Sequence, residues 1–237
     1  MRSTFASLSI VLVACSHDPL APGAGSSPGT GTGTILVTGS ARSSSQTPNA
    51  SADTMFSTDL ELDLSINNTP LTTGTVTITS LTGATKLTFQ QNGNGSGHWT
   101  GTVANYDPVY QLDVTSGPDN IKGVTLEGPD LDVFTAPTEG ATVDASMTIT
   151  LAWTRQVEAQ SAVFGVGDIQ GLTIPDNGTY AIPALSLHYD RAAPRQNALH
   201  LTRSNSIAPK GAVAGSMFTV SLTQTLDVVA AACATCP

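Results

Sequence analysis

The chain has 237 residues, with 9 Lys+Arg against 18 Asp+Glu and a formal net charge of −9 at pH 7. Such an acidic surface repels phosphate backbones and excludes nucleic acid as an expected partner. Only 11% of residues are charged and 5% aromatic. No long segment carries apolar residues at helical spacing, and Thr- and Val-rich alternation between Gly, Pro and Asn punctuation predicts an all-β chain.

Read from the N-terminus, one cation, Arg2, precedes an apolar run over residues 5–13. The run is too short to span a bilayer as a mature helix but has the length of a secretory h-region. It ends in Leu12-Val13-Ala14-Cys15, which resembles the bacterial lipobox, Leu-x-Ala/Gly-Cys. The resemblance implies a signal peptide over residues 1–14 and a diacylglyceryl group on the Cys15 thiol. It further implies a place in the bacterial cell envelope, on the periplasmic or cell-surface side, with the membrane as partner through the lipid. Cleavage removes only Arg2 among the charges, leaving 8 Lys+Arg against 18 Asp+Glu, or −10. That charge disfavours adsorption to anionic lipid, so the lipid chains must do the anchoring.

Residues 15–33, with their Pro-Gly and Gly-Thr repeats, read as a flexible tether that buries nothing. From Thr34 the pattern changes. Residues 35–38 read as a strand, 40–54 as a polar loop, and 59–66 as a half-buried strand of strict alternation. Strands are predicted at 75–80, 85–91, 98–104 with Trp99, 109–115 and 121–126, with a turn cluster at 91–97. These complete a β-sandwich module over residues 34–133.

Pro- and Gly-rich residues 129–140 read as a joint, and a second module follows over 134–230. Its opening, Pro137-Thr-Glu-Gly-Ala-Thr-Val followed by a strand ending in Trp153-Thr-Arg155, resembles an Ig-like or fibronectin-III-like domain, as does Asp176-Asn-Gly-Thr-Tyr180. The resemblance covers about residues 135–229. It implies two antiparallel sheets, Trp153 packed across the core, and Tyr180 as a tyrosine corner whose hydroxyl bonds to upstream backbone. It also implies closing strands at 199–203 and 216–222. Unlike antibody domains, the segment has no Cys pair between its sheets. Residues 231–237 form a tail in which Cys233 and Cys236 are candidates for a local disulfide outside the cytoplasm.

Candidate chemistry is sparse. Asp59, Glu61 and Asp63 share one strand face and read as a solvated face opposite Leu60, Leu62 and Leu64. Asp107, Asp113, Asp119, Asn120, Asp130 and Asp132 lie in or near loops without an Asp-x-Asp-x-Asp-Gly pattern, so turn chemistry is the expected role and no metal is assigned. Asp130-Leu-Asp132 at the joint is the best acidic pair. His17, His98, His188 and His200 stand in no ligand motif. Asn94-Gly-Ser96-Gly-His98 departs from Gly-x-Ser-x-Gly and sits in a hairpin turn, so no catalytic residue is assigned. Tyr106 and Tyr110, with polar companions, are the first candidates for a surface contact patch.

These readings give a non-enzymatic cell-envelope lipoprotein, a structural or adhesive module with no cofactor. The alternatives are an extracellular binding module for a sugar, peptide or ion, or an accessory domain of a surface enzyme complex. The sequence identifies no protein or glycan partner.

Overall fold

The computed structural model describes residues 25–93, 96–167, 169–233 and 236. The expected signal peptide, Cys15, His17 and the first part of the expected tether lie outside the described residues.

The chain is all-β, and among the described residues the one helical turn is a short 3-10 turn at Asp53–Met55. The strands of its first half are β1 (Thr30–Gly31), β2 (Ile35–Ser45), β3 (Phe56–Ile66), β4 (Thr69–Pro70), β5 (Thr75–Ser80), β6 (Gly83–Lys86), β7 (Thr88–Gln91), β8 (Gly97–Val103), β9 (Val109–Ser116) and β10 (Asp119–Glu127). Those of the second half are β11 (Phe134–Ala136), β12 (Thr142–Val143), β13 (Ile149–Trp153), β14 (Ser161–Val166), β15 (Ile169–Ile174), β16 (Thr179–Ile182), β17 (Arg195–Ile207) and β18 (Met217–Ala230).

They form three sheets. A ten-stranded sheet runs β15-β14-β17-β18-β2-β3-β8-β7, with β12 added to β18 and β4 to β3. A five-stranded sheet, β1-β10-β9-β5-β6, and a three-stranded sheet, β11-β13-β16, complete the fold. Pairing is antiparallel except for β18 with β2 and β12 with β18. Both smaller sheets pack on the same face of the long one, which makes two sandwich cores on one shared backing.

The alternation of β18 shows how the backing is shared. Its inward residues are Phe218, Val220, Leu222, Gln224, Leu226, Val228 and Ala230, all buried. The first three pack in the core with Leu60, Leu62, Ile78 and Leu112. The last three pack in the core with Leu151, Trp153, Phe164 and Leu199. A strand rises about 3.4 Å per residue, so 14 residues reach across two cores where the five or six of an ordinary strand serve one. The two cores expected on either side of 133/134 therefore share this strand. The strand expected to close the second module gives its first half to the first core.

Several other expectations shift. The polar loop expected from Ser40 begins later, because β2 continues to Ser45 and pairs with β3 as far as Phe56. Its small Ser43 is fully buried and shares a 2.7 Å hydrogen bond with Thr58, which satisfies both hydroxyls inside the core. The single strand expected over 85–91 divides at buried Leu87: β6 joins β5 in the small sheet and β7 joins β8 in the long one. Strands β14 and β15 have no counterpart in the sequence reading.

The expected tether is docked over its last residues. Ser27 and Thr125 exchange backbone hydrogen bonds of 2.7 and 2.8 Å, and β1 pairs with β10. Gly33 N–H donates to the Gly211 carbonyl at 2.6 Å, and Lys210 N–H to the Pro28 carbonyl at 2.7 Å. Here the glycines serve close approach: a Cβ on Gly31 would meet the Gly211 carbonyl at 2.6 Å, and one on Gly211 would strike the Gly31 backbone.

Candidate functional site: a buried arginine clamp at the joint

The two cores meet at polar side chains that project inward from the long sheet. On β17, Leu199 and Leu201 face the second core and the next inward residue is Arg203, with 0% of its surface exposed. On β18 the residue between the cores is Gln224, also fully buried. Leu201 pairs with Gln224 and Arg203 with Leu222, so the two polar groups sit on neighbouring strands at the crossing.

Every N–H of the guanidinium group that can reach an acceptor has one. Nε donates to Asp176 Oδ1 and Oδ2 at 3.1 and 3.0 Å. Nη1 donates to the Asp130 carbonyl at 2.8 Å. Nη2 donates to Asp130 Oδ1 at 2.9 Å, to the Val157 carbonyl at 2.7 Å and to Asp176 Oδ2 at 2.9 Å. A planar fork with five donors suits this work, because a buried cation is tolerated only when paired and hydrogen-bonded. Burial pushes the Arg203 pKa down, but the bonds to Asp176 and Asp130 outweigh it and the net direction is upward.

Asp176 completes the clamp. Its Oδ1 also accepts from Trp153 Nε1 at 3.2 Å and its Oδ2 from the Ala159 N–H at 2.7 Å. Burial raises its carboxyl, yet the hydrogen bonds from Arg203 and Ala159 prevail and hold it below the usual carboxylate value. Asp130 Oδ2 accepts from the Gln156 N–H. Gln224 Nε2 donates to the Ala50 and Asp132 carbonyls at 2.6 and 2.9 Å, and its Oε1 accepts from the Ala50 N–H at 3.1 Å. Asn49 exchanges bonds with the backbone of Phe134, at 2.7 and 3.1 Å. The joint is therefore closed by side chains from both halves of the chain.

Asp132 differs from its neighbours. It is fully buried, and neither carboxylate oxygen has a hydrogen-bond partner in another residue. The nearest cationic atom, Arg203 Nη1, stands 3.8 Å from Oδ1. Burial raises the Asp132 pKa from 3.8 to about 7 against the lowering effects of Arg203 and of the residue's own backbone N–H. The acidic pair noticed in the sequence thus faces an arginine of this chain.

Tyr106 and Tyr110 are not a surface patch, because they are 1% and 0% exposed. The Tyr106 hydroxyl donates to the Pro129 carbonyl, and its ring packs against Phe56. Tyr110 Oη accepts from the Asp107 N–H at 3.0 Å. Packing of their own loop against the core explains the pair. Gly128 is needed beside them, since a Cβ there would strike Tyr106 Oη and approach Val220 Cγ1 to 2.8 Å.

Tyr180 is not a tyrosine corner. It is half-buried, its ring lies 5.2 Å from that of Phe164, and its hydroxyl makes no hydrogen bond among the described residues. Within Asp176-Asn-Gly-Thr-Tyr180 the buried polar anchor is the Asp.

The remaining candidates stand apart. Asp59 and Asp63 are exposed opposite buried Leu60, Leu62 and Leu64, and Glu61 lies 3.8 Å from Arg42 and 3.9 Å from His98. His200 Nδ1 lies 3.2 Å from Thr225 Oγ1, and the His188 N–H donates to Asn197 Oδ1 at 2.7 Å. Asp107 accepts from Thr82 Oγ1, Asp113 from the Gly123 N–H and Asp119 from Thr34 Oγ1, so these three carboxylates tie distant segments together and do not cap their own turns. Asn94 and Gly95 lie outside the described residues, while Ser96 accepts from the Asn92 N–H through its carbonyl. No cluster of three or more His, Cys, Asp or Glu among the described residues is arranged to hold a metal. Cys233 and Cys236 form a disulfide, and the Cys236 carbonyl accepts from Arg191 Nε at 3.0 Å.

The chain matches no family model and no curated protein.

Proposed function

We propose that the chain is a non-enzymatic lipoprotein of the bacterial cell envelope, held to the membrane through a lipid on Cys15 and acting as a rigid structural or adhesive module. One observation carries the mechanical part of this reading: a single sheet backs both cores, and the buried Arg203–Asp176–Asp130 clamp closes the joint between them. Two sandwiches joined only by a linker would swing, whereas sharing β17 and β18 makes relative rotation a matter of breaking a sheet. The anchoring part is supported by Leu12-Val-Ala-Cys15. The Ig-like character of residues 134–230 belongs to the same proposal and is supported by Trp153, which ends β13 and is buried in the second core.

The alternative of a peptide-binding module is favoured by a groove of about 210 Å³ at the joint, walled by Pro108, Val109, Pro129, Val157 and Ala159 beside Glu158. Trp99 and Trp153 fill the two cores as expected and offer a sugar no stacking face.

Fractionation tests the anchor. The wild-type chain should enter the detergent phase of a phase-partition experiment, and Cys15→Ser should remain in the aqueous phase. Attachment of cells carrying each form to a protein-coated surface tests the adhesive role, which requires wild-type cells to bind better. Equal partitioning of the two forms would remove the anchor, and equal attachment the adhesive role.

A further inference from the structure

Three carboxylates surround one guanidinium group at the joint, and the donors are unevenly shared. Asp176 and Asp130 receive all the hydrogen bonds that Arg203 gives to carboxylates, and its remaining bonds go to the Asp130 and Val157 carbonyls. Asp132 receives none, although it is as buried as Arg203 itself. At 3.8 Å, Nη1 is beyond hydrogen-bond reach of Asp132 Oδ1.

With all three carboxylates ionised the cluster would carry two negative charges in excess inside the fold. An ionised carboxylate buried without a hydrogen bond is among the costliest arrangements a protein can hold, and the group neutralises instead. A metal ion is the poorer solution, because it would stand close to the positive charge of Arg203. It would also need six or more oxygens where the nearby ones are already engaged.

We propose that Asp132 is a buried proton-binding site: the folded chain keeps this carboxyl neutral at the joint, and the proton leaves to solvent when the joint opens. The charged groups that face it are Arg203 from β17, Asp176 from the turn before β16 and Asp130 from its own segment. From β18 it meets the neutral amide of Gln224, which bonds its backbone carbonyl. The Tyr106 phenol, which interacts with Arg203 and Asp130, is held neutral by burial.

The sign of the linkage follows. The folded chain keeps the proton up to about pH 7, whereas the unfolded chain releases it near 3.8. The contribution to stability is complete in acid, is lost progressively between these values, and is absent above the upper one. Across the window each pH unit raises the unfolding constant by about tenfold through this one proton. Through this group the joint is tightest in acid and loosens toward neutrality, which makes it a proton-responsive coupling between the two cores.

The test compares the full chain with Asp132→Asn in urea unfolding from pH 4.5 to 8.5. Other carboxylates contribute to both, so the difference between the two isolates Asp132. The wild-type unfolding constant should rise relative to the variant's by close to one proton's worth per pH unit and then level off near neutrality. Parallel curves would overturn the proposal. Carboxyl carbon NMR of the wild-type chain labelled at Asp reads the same group directly and does not depend on the variant folding. One buried Asp should titrate near neutrality, and titration of every Asp near the ordinary value would overturn the assignment. A stabilisation by millimolar calcium that Asp132→Asn abolishes would make the group a cation ligand and likewise overturn it.

Discussion

The indole of Trp153 and the guanidinium of Arg203 converge on one oxygen, Asp176 Oδ1, at 3.2 and 3.1 Å. Through that atom the end of β13, the turn before β16 and the middle of β17 are fixed together. Removing the shared acceptor leaves a buried cation and a buried indole N–H without it. Asp176→Ala should therefore cost about 3 to 5 kcal/mol in urea denaturation. Arg203→Met strands the carboxylates instead, and the double variant should lose clearly less than the sum of the two, because both changes break one network. Strict additivity would show that the clamp is not a unit.

The shared backing predicts one unfolding transition. Leu222→Ala empties the first core and Leu226→Ala the second, each costing about 2 to 5 kcal/mol. Trp99 reports on the first core and Trp153 on the second. Followed through either indole, in variants with the other Trp replaced by Phe, each Leu→Ala change should lower the same midpoint by the same amount. Two midpoints that move separately would show cores that unfold independently.

Two tyrosines should behave in opposite ways. Tyr106→Phe leaves the buried Pro129 carbonyl without the hydroxyl that bonds it and should cost about 1 to 3 kcal/mol. Tyr180→Phe removes a hydroxyl that makes no hydrogen bond among the described residues and keeps the ring against Phe164, so its unfolding free energy in urea should stay within about 0.5 kcal/mol of wild type. A large loss in Tyr180→Phe with none in Tyr106→Phe would reverse the assignment.

Removal of the docked N-terminal segment should be felt. A chain beginning at Thr34 gives up the Ser27–Thr125 pair, the bond from Gly33 to Gly211 and the bond from Lys210 to Pro28. At about 0.5 to 1.5 kcal/mol net for each bond, and with edge fraying reducing the sum, calorimetry should show a loss of about 1 to 3 kcal/mol relative to a chain beginning at Gly25. Equal midpoints would mean that residues 25–33 do not hold the edge.

Strands with one apolar and one polar face were legible in the sequence. Residues 59–66 alternate strictly because one face meets the core and the other meets solvent, and β3 buries Leu60, Leu62 and Leu64 as that pattern requires. The joint was not legible, because its inward positions break the pattern. Gln224 interrupts the apolar row of β18, so the strand reads as ending near Leu222 when it continues to Ala230. Arg203 reads as a surface residue until its partners are known, and these lie 27 and 73 positions away in the chain. Asp130 and Asp132 stood out as an acidic pair, but local spacing carries no sign of a cation arriving from β17. The Gly-Thr repeat of residues 29–33 has the composition of a linker, and only the opposing Gly211 shows that two backbones need glycine to pass so closely.

The docking of β1 also sets how far the fold could stand from the lipid proposed on Cys15. Ten Cα steps separate Cys15 from Gly25, and at most about 3.3–3.6 Å per residue gives a leash of roughly 35 Å. A lipid on Cys15 would hold the edge of the five-stranded sheet within that distance of the bilayer.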